Sequence, residues 1–537
     1  MSFPKRIWNG IVCAGLLAGL VNVCYAEESL NKVGFYGLAD TRSGQFANYK
    51  FGVKGHELEH QWIQNNMVIL GVKTQFHPRL QGGIGLLGWI AYHTFPDSML
   101  MDASRIAKGT DVLFRFDRAE MTLNCSPDPE DSLCKITVGL FPYKYNKEVR
   151  NLGEYLFRTG CYPGYIMSDG FDMPLAQIAG IRVSSDLFNF WHNELLLTTE
   201  LYLYPLNDFS LTYLTDVSLF KRVFNFGAAV QLYHCFPVNN DYTQPENYIQ
   251  YNVAPTTPKA PNYYFAKDDA AKTDTLFYTF AGTKIMARFT FDPKPLLGMD
   301  IFGAEDLKLY SEAIILGVKN YPANLDIDLN WGNAPVNEFG YNKLMQKMPI
   351  MFGFNWPTHQ FLSYLIVPSA MTYMLEPNFD KKGSKAAFVY FGSYVTALGS
   401  WLLDKTLGIN TKLDVLSVEA EYYGKKYVNR VPVIGQGLGM MRLPIPYDPQ
   451  LNSGYPSGDI TASGSGKYSK STYYARAAQW KWSIYAKKTL FNNFSITVQA
   501  ARDHSRVQTT LASSLDQEEA LIKDKQWCWM LKFGYSF

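Results

Sequence analysis

The chain has 537 residues with 50 Lys and Arg against 48 Asp and Glu, and its first 26 residues hold two basic and no acidic side chains, leaving 48 of each. A formally neutral remainder has no surplus with which to neutralise phosphates, which excludes a general nucleic-acid binder. Beyond the first 26 residues no run approaches the roughly 18 unbroken apolar residues of a spanning helix; Phe361 to Leu375 comes nearest, and it is shorter and contains Pro368.

The first element is a leader. Lys5 and Arg6 precede the apolar run Ile11 to Val21, and Cys24 and Ala26 supply small residues where a signal peptidase reads, so residues 1–26 are expected to be removed and the mature chain to begin at Glu27. Val23 is too bulky for a lipoprotein site at Cys24. Next, His56-Glu57-Leu58-Glu59-His60 matches the H-E-x-x-H pattern of zinc peptidases. Its setting argues for a loop: Phe51 to Lys54 reads as a strand running into a turn, no third histidine follows at the extended spacing, and the next glutamate is Glu120. No metal and no cofactor are therefore expected.

From there the chain alternates strand-like segments with connections that are by turns short and long. Strands are expected within 33–58, then near 67–76, 80–95, 111–124, 134–144, 176–185, 193–204, 209–218, 222–234, 276–290, 307–318, 348–356, 362–375, 386–398, 412–424, 477–489, 494–505 and 526–537. The count is about 18, with 16 as the alternative, and an even number with long connections mostly at one end fits an antiparallel barrel. Residues 27–537 read as one domain, all-β, closed, with a water-filled lumen and long outer loops at 145–174, 236–275, 428–471 and 506–525.

Side chains alternate across a strand, and several segments separate the two faces. Trp480, Trp482, Ile484 and Ala486 oppose Lys481, Ser483, Tyr485 and Lys487, and Ile285, Ala287 and Phe289 oppose Lys284, Met286 and Arg288. The charges at Lys73, Lys135, Arg182, Glu194, Glu200, Arg288, Glu419, Glu421, Lys481, Lys487 and Lys532 thus fall opposite the apolar stripe, where water in a lumen would solvate them. In the segment near Asp111 the apolar parity switches between Phe116 and Ala119, which calls for a β-bulge at Asp117 and Arg118.

Five cysteines follow the leader. Cys125 and Cys134 flank SPDPEDSL between two strands and are expected to bridge the hairpin base; Cys161 and Cys235, in or at the edge of long outer loops, could pair but are not assigned as a bridge, and Cys528 is left as a lumen-facing thiol. The motifs of hydrolases are incomplete. Asp326 and Asp328 share a face without histidine partners, while His504 and Ser505, next to Asp503, are adjacent and so point oppositely. No catalytic residues are assigned.

The last eleven residues place Trp527, Trp529, Leu531, Phe533, Tyr535 and Phe537 on one face, against Cys528, Met530, Lys532, Gly534 and Ser536. This strand resembles the closing strand of Gram-negative outer-membrane β-barrels. The resemblance implies an outer-membrane location, contact with outer-membrane lipid, and a role for Phe537 as the signal read by the barrel-assembly machinery. It also implies that the long loop 145–174, by position and length like the third outer loop of general porins, folds inward and narrows the lumen. Packing over the outer rim is the alternative. Helical spacing would put Arg150, Glu154 and Arg158 on one face as a charged constriction. The function expected is a porin, a passive channel for small hydrophilic solutes without enzyme activity, with an adhesin or attachment barrel as the alternative, an outer-membrane hydrolase third, and an oligomer compatible with all three.

Overall fold

The structure, a computed structural model, describes residues 32–47, 62–93, 109–126, 133–157, 166–167, 176–188, 190–199, 209–236, 263–268, 275–279, 282–297, 302–316, 348–358, 412–422, 430–432, 440–442, 480–490, 493–502 and 527–537. In chain order the strands are β1 (Lys32–Ala47), β2 (Trp62–His77), β3 (Leu80–His93), β4 (Gly109–Asn124), β5 (Lys135–Tyr143), β6 (Ile166–Met167) and β7 (Ala176–Leu187). Then come β8 (Trp191–Thr199), β9 (Phe209–Leu219), β10 (Phe224–Phe236), β11 (Tyr263–Asp268), β12 (Thr275–Thr279), β13 (Gly282–Phe291) and β14 (Leu309–Ile315). The last are β15 (Ile350–Asn355), β16 (Val415–Tyr422), β17 (Arg430–Pro432), β18 (Met440–Arg442), β19 (Trp480–Leu490), β20 (Phe494–Arg502) and β21 (Trp527–Ser536).

All but β6, β11, β12, β17 and β18 make up a closed antiparallel barrel of 16 strands, each paired with the next. The barrel closes where β21 returns to β1, from Leu38 opposite Ser536 to Ala47 opposite Trp527, so the first strand does lie within 33–58. The count is 16 rather than about 18 because β15 pairs directly with β16, Ile350 opposite Tyr422, which leaves no place in the wall for the strands expected at 362–375 and 386–398. Those two segments, like the leader, the H-E-x-x-H run, Asp326, Asp328, Arg158, Cys161, Glu200 and Asp503 to Ser505, lie outside the described residues.

Register and burial define the two faces. Phe35, Phe114, Phe352 and Trp480 point outward and are exposed. Inward positions carry Asp40, Arg42, Glu194, Lys284, Glu312, Glu419, Lys481 and Lys532, all buried. The expected bulge is present: Gly85 faces Arg118 and Leu86 faces Phe116, so Asp117 has no opposite number and the outward stripe resumes at Ala119.

The closing seam is tied on its inner side. Arg42 donates from Nε (2.9 Å) and Nη2 (2.8 Å) to the Asp40 carboxylate, and Lys532 reaches the same group from β21 at 3.3 Å. Asp40→Ala removes the carboxylate that both buried cations share, and breaking such a pair costs on the order of 3 kcal/mol. A lower temperature for the folded-to-unfolded shift in gel mobility is the expected result; an unchanged temperature would show that the seam holds without it.

Between β4 and β5 the bridge expected at the hairpin base is absent, and Cys125 and Cys134 are free thiols. The backbone already closes that turn, Cys125 N–H donating to Cys134 O at 2.8 Å. Burial, and after it the neighbouring Cys134, pushes the Cys125 thiol up, which keeps it protonated. The Cys235 thiol donates toward Phe209 O at 3.5 Å.

Candidate functional site

After β5 the chain leaves the wall and runs through the interior. Gly153 (φ 90) and Glu154 (φ 58) are both left-handed, and this pair turns the backbone so that successive N–H groups point at the far wall. Glu419 of β16 accepts from the N–H groups of Arg150 (2.6 Å), Asn151 (2.9 Å) and Leu152 (2.8 Å). Glu421 accepts from Gly153 (3.3 Å), and Glu312 of β14 from Glu154 (3.2 Å) and Tyr155 (3.0 Å). Every backbone amide from residue 150 to residue 155 is thus held by a wall carboxylate. Bonds to ionised acceptors are the stronger class, and here the acceptors are buried and aimed.

Side chains complete the clamp. Tyr145 donates to Glu312, Asn146 Nδ2 to Glu312 (2.9 Å), Tyr155 to Glu421 (3.0 Å) and Tyr310 to Glu419 (2.9 Å). From the wall, Lys284 Nζ donates to Leu156 O (3.1 Å) and Arg288 to Tyr145 O (2.5 Å), while Arg288 also pairs with Asp216. The segment also meets the connection before β14, Arg150 pairing with Glu305 (2.5 Å) and Lys308 with Glu148 (3.3 Å). Burial opposes ionisation of Glu305, but Lys308 and then Arg150 overcome it and hold the carboxyl below its usual range.

The segment has its own apolar core. Val149, Leu152, Tyr155, Leu156 and Phe157 are fully buried against Phe141, Ile178, Leu196, Met286, Ile314 and Met351. Phe157 meets Tyr143 edge-on at 5.5 Å. Each such side chain contributes about 1.5–3 kcal/mol, so the segment is held by packing as well as by polar bonds.

Of the loop 145–174, residues 145–157 lie against the inner wall, and over 150–157 the expected helix does not form. Residues 150–157 are bends and turns because their amides bond to the wall instead of to carbonyls four residues back. Arg150 and Glu154 consequently do not share a charged face. Arg150 turns to Glu305, and Glu154 folds back to accept from Asn146 N–H at 2.6 Å. Burial, and next the Glu312 carboxylate, hold the Glu154 carboxyl well above its usual range.

The other charges singled out in the sequence, Lys73, Arg182, Arg288, Glu419, Lys481 and Lys532, occupy inward register positions. Glu419 is a clamp residue and Lys481 faces Glu421 at 3.2 Å. Lys73 is exposed, its ammonium 5.2 Å from the Tyr36 ring centroid, with Arg118 at the same distance. Two groupings were missed. One is Glu312, which completes the clamp. The other joins Asp186, His192 and Glu194, with His192 Nδ1 2.5 Å from Asp186 and Nε2 2.8 Å from Glu194, and Glu194 2.6 Å from Arg182. The cross-strand pairing of Asp186 with His192 was its only signal. Among the described residues no group of His, Cys, Asp and Glu is arranged to hold a metal ion.

No protein-family model matches the chain, and no curated protein does. Solved structures do. Pseudomonas putida OprB is 7% identical, with 98% of this chain and 97% of that one covered and a TM-score of 0.42. Salmonella typhi OmpF, solved with daunomycin, is 10% identical over 94% and 98%, with a TM-score of 0.39. A mutant of Rhodopseudomonas blastica porin is 6% identical over 94% and 100%, with a TM-score of 0.36. These likenesses lie too far off to carry an argument, and it is the chain's own ring of 16 antiparallel strands that makes it a closed β-barrel.

Proposed function

We propose that this protein is an outer-membrane channel through which small hydrophilic solutes diffuse passively. One observation carries the reading: six successive amides fix the segment 150–155 to wall carboxylates inside a closed barrel, an arrangement that shapes a passage and presents no catalytic group. Away from the clamp the inward wall keeps charge in reach of water. Lys73 is exposed, and the side chains of Arg118, Glu120 and Arg182 keep 18%, 19% and 31% of their surface. A fixed charge beside a narrow opening acts on passing ions within the screening length of about 8 Å at physiological salt. The partners of this reading are membrane lipid, the barrel-assembly machinery and the solutes themselves.

Purified protein in planar bilayers should give discrete conductance steps, and their absence from folded protein would overturn the reading. Lys73→Glu reverses an exposed inward charge without touching the clamp. Its reversal potential in a salt gradient is expected to move toward cation preference at nearly unchanged conductance. A wild-type reversal potential would place the conducting path away from β1 to β4.

A further inference from the structure

At the end of the barrel where β21 finishes, β7 and β8 are joined by the short turn 188–190, and a group of charged side chains meets on the inward wall just beyond it. Register sets Asp186 opposite His192 and Ser184 opposite Glu194. Because side chains alternate along a strand, His192 shares the inward face of Glu194, and Trp191, Asn193 and Leu195 take the other. The imidazole lies between two carboxylates, Nδ1 2.5 Å from Asp186 and Nε2 2.8 Å from Glu194. Glu194 is held from its far side by Arg182 (2.6 Å) and by the Tyr143 hydroxyl (2.5 Å). The group is open to water in the lumen, since the side chains of His192 and Asp186 keep 36% and 37% of their surface.

A neutral imidazole donates from one nitrogen only, and its second nitrogen is an acceptor. Between two carboxylates that second nitrogen would face another acceptor with no proton to share. With a proton on each nitrogen, both contacts become charge-assisted hydrogen bonds. The arrangement is built for the imidazolium. Arg182 and His192 then offset Asp186 and Glu194, so the four charges sum to zero. Histidine is the side chain whose ordinary titration falls between about pH 5 and 8. The other groups that face it from neighbouring strands are of different kinds. On β9 Asp216 stands opposite His192 and is paired with Arg288 of β13, and on β5 Lys135 stands opposite Ser184 while Tyr143 reaches Glu194.

We propose that His192 is a proton-binding site through which pH sets the ion preference of the channel. As pH rises through the imidazole range the ring passes one proton to lumen water, and the sum over Asp186, His192, Glu194 and Arg182 falls from zero to minus one. One carboxylate is then left against a ring lone pair. Glu194 keeps its bonds to Arg182 and Tyr143, so it is the more exposed Asp186 that turns toward water. A negative charge at this mouth acts on ions within the screening length of about 8 Å at physiological salt, drawing cations in and turning anions away. Cation preference therefore rises with pH. The effect on ions rests on the channel reading, whereas the proton site itself does not.

The test follows the reversal potential of full-length protein in a salt gradient from about pH 5 to about pH 9, which brackets the imidazole range. The wild type is expected to make one step toward cation preference. His192→Gln keeps a donor and an acceptor but does not titrate, so it should lose the step and stay at the wild type's high-pH value, while His192→Lys should stay at the low-pH value. These variants also separate His192 from His77, whose Nδ1 accepts from Arg79 N–H (3.2 Å) in a turn at the same end. A wild type without the step, or a His192→Gln variant with a step of wild-type size, overturns the proposal. Should the variants not give the heat-dependent gel shift of a folded barrel, proton NMR of histidine-labelled wild type in detergent decides. A ring with hydrogen-bonded protons on both nitrogens at low pH, one of them lost as pH rises, supports the site, and the absence of any such ring overturns it. Folded protein that gives no conductance steps sinks the channel reading alone, because the ring protons still report the site, whereas conductance with an ion preference indifferent to pH sinks this inference alone.

Discussion

Glu419→Ala is expected to release the interior segment and enlarge the passage. It withdraws one carboxylate from the amides of Arg150, Asn151 and Leu152 and from the Tyr310 hydroxyl. Each buried donor left without an acceptor costs roughly 1–3 kcal/mol, so the docked position loses several kcal/mol. The barrel itself loses little, since the ladder between β15 and β16 is backbone to backbone and alanine keeps it. Single-channel conductance should therefore rise and become noisy, while the temperature of the gel shift falls only modestly. Glu419→Gln, which retains one acceptor oxygen, should lie between the two. Wild-type conductance in both variants would mean that the segment stays seated on its apolar core and that the clamp is redundant.

Deleting Phe537 should reduce the yield of closed barrels by about tenfold or more without altering conductance in those that close. Phe537 N–H donates to Gly37 O (3.0 Å), and Gly37 N–H donates to Phe537 O (2.9 Å), so the last residue forms the end of the seam. Its ring lies over Gly37, where any β-carbon would come within 2.1 Å of it. Two net bonds of about 1 kcal/mol each shift an equilibrium by more than tenfold. Gly37→Val displaces the ring and keeps both backbone bonds, so its defect should be milder. Refolding in detergent separates the seam from recognition by assembly machinery: a deletion that refolds like the wild type there but inserts poorly in cells assigns Phe537 to recognition. Normal insertion in cells would remove both roles.

What the sequence disclosed was whatever depends on alternation. The parity of Trp527 to Phe537 and the slip at Asp117 are local facts, and both faces follow from them. Strand number was harder, because 362–375 is as apolar and as long as a wall strand and only the pairing of β15 with β16 decides the count. Glu312 was hidden for a related reason. The inward face of β14 reads Tyr310, Glu312, Ile314 and the outward face Leu309, Ser311, Ala313, so the usual contrast is blurred where the wall meets protein instead of water. The helix expected from Arg150 and Glu154 failed through tertiary override. Spacing records which side chains could share a face, and says nothing of carboxylates more than 260 residues away that take up the amides.

That separation also sets an order of events. The donors at 150–152 meet Glu419 across 267 to 269 positions of chain, and those at 154 and 155 meet Glu312 across 158 and 157. Loop-closure entropy opposes such distant meetings until the intervening strands are laid down. The segment that enters the barrel after its fifth strand therefore waits for strands whose sequence comes much later, and until they arrive the growing sheet carries buried-type carboxylates open to water. A chain interrupted before Val415 would have every part of the interior segment and no Glu419 or Glu421 to seat it, so the segment can dock fully only near the end of assembly.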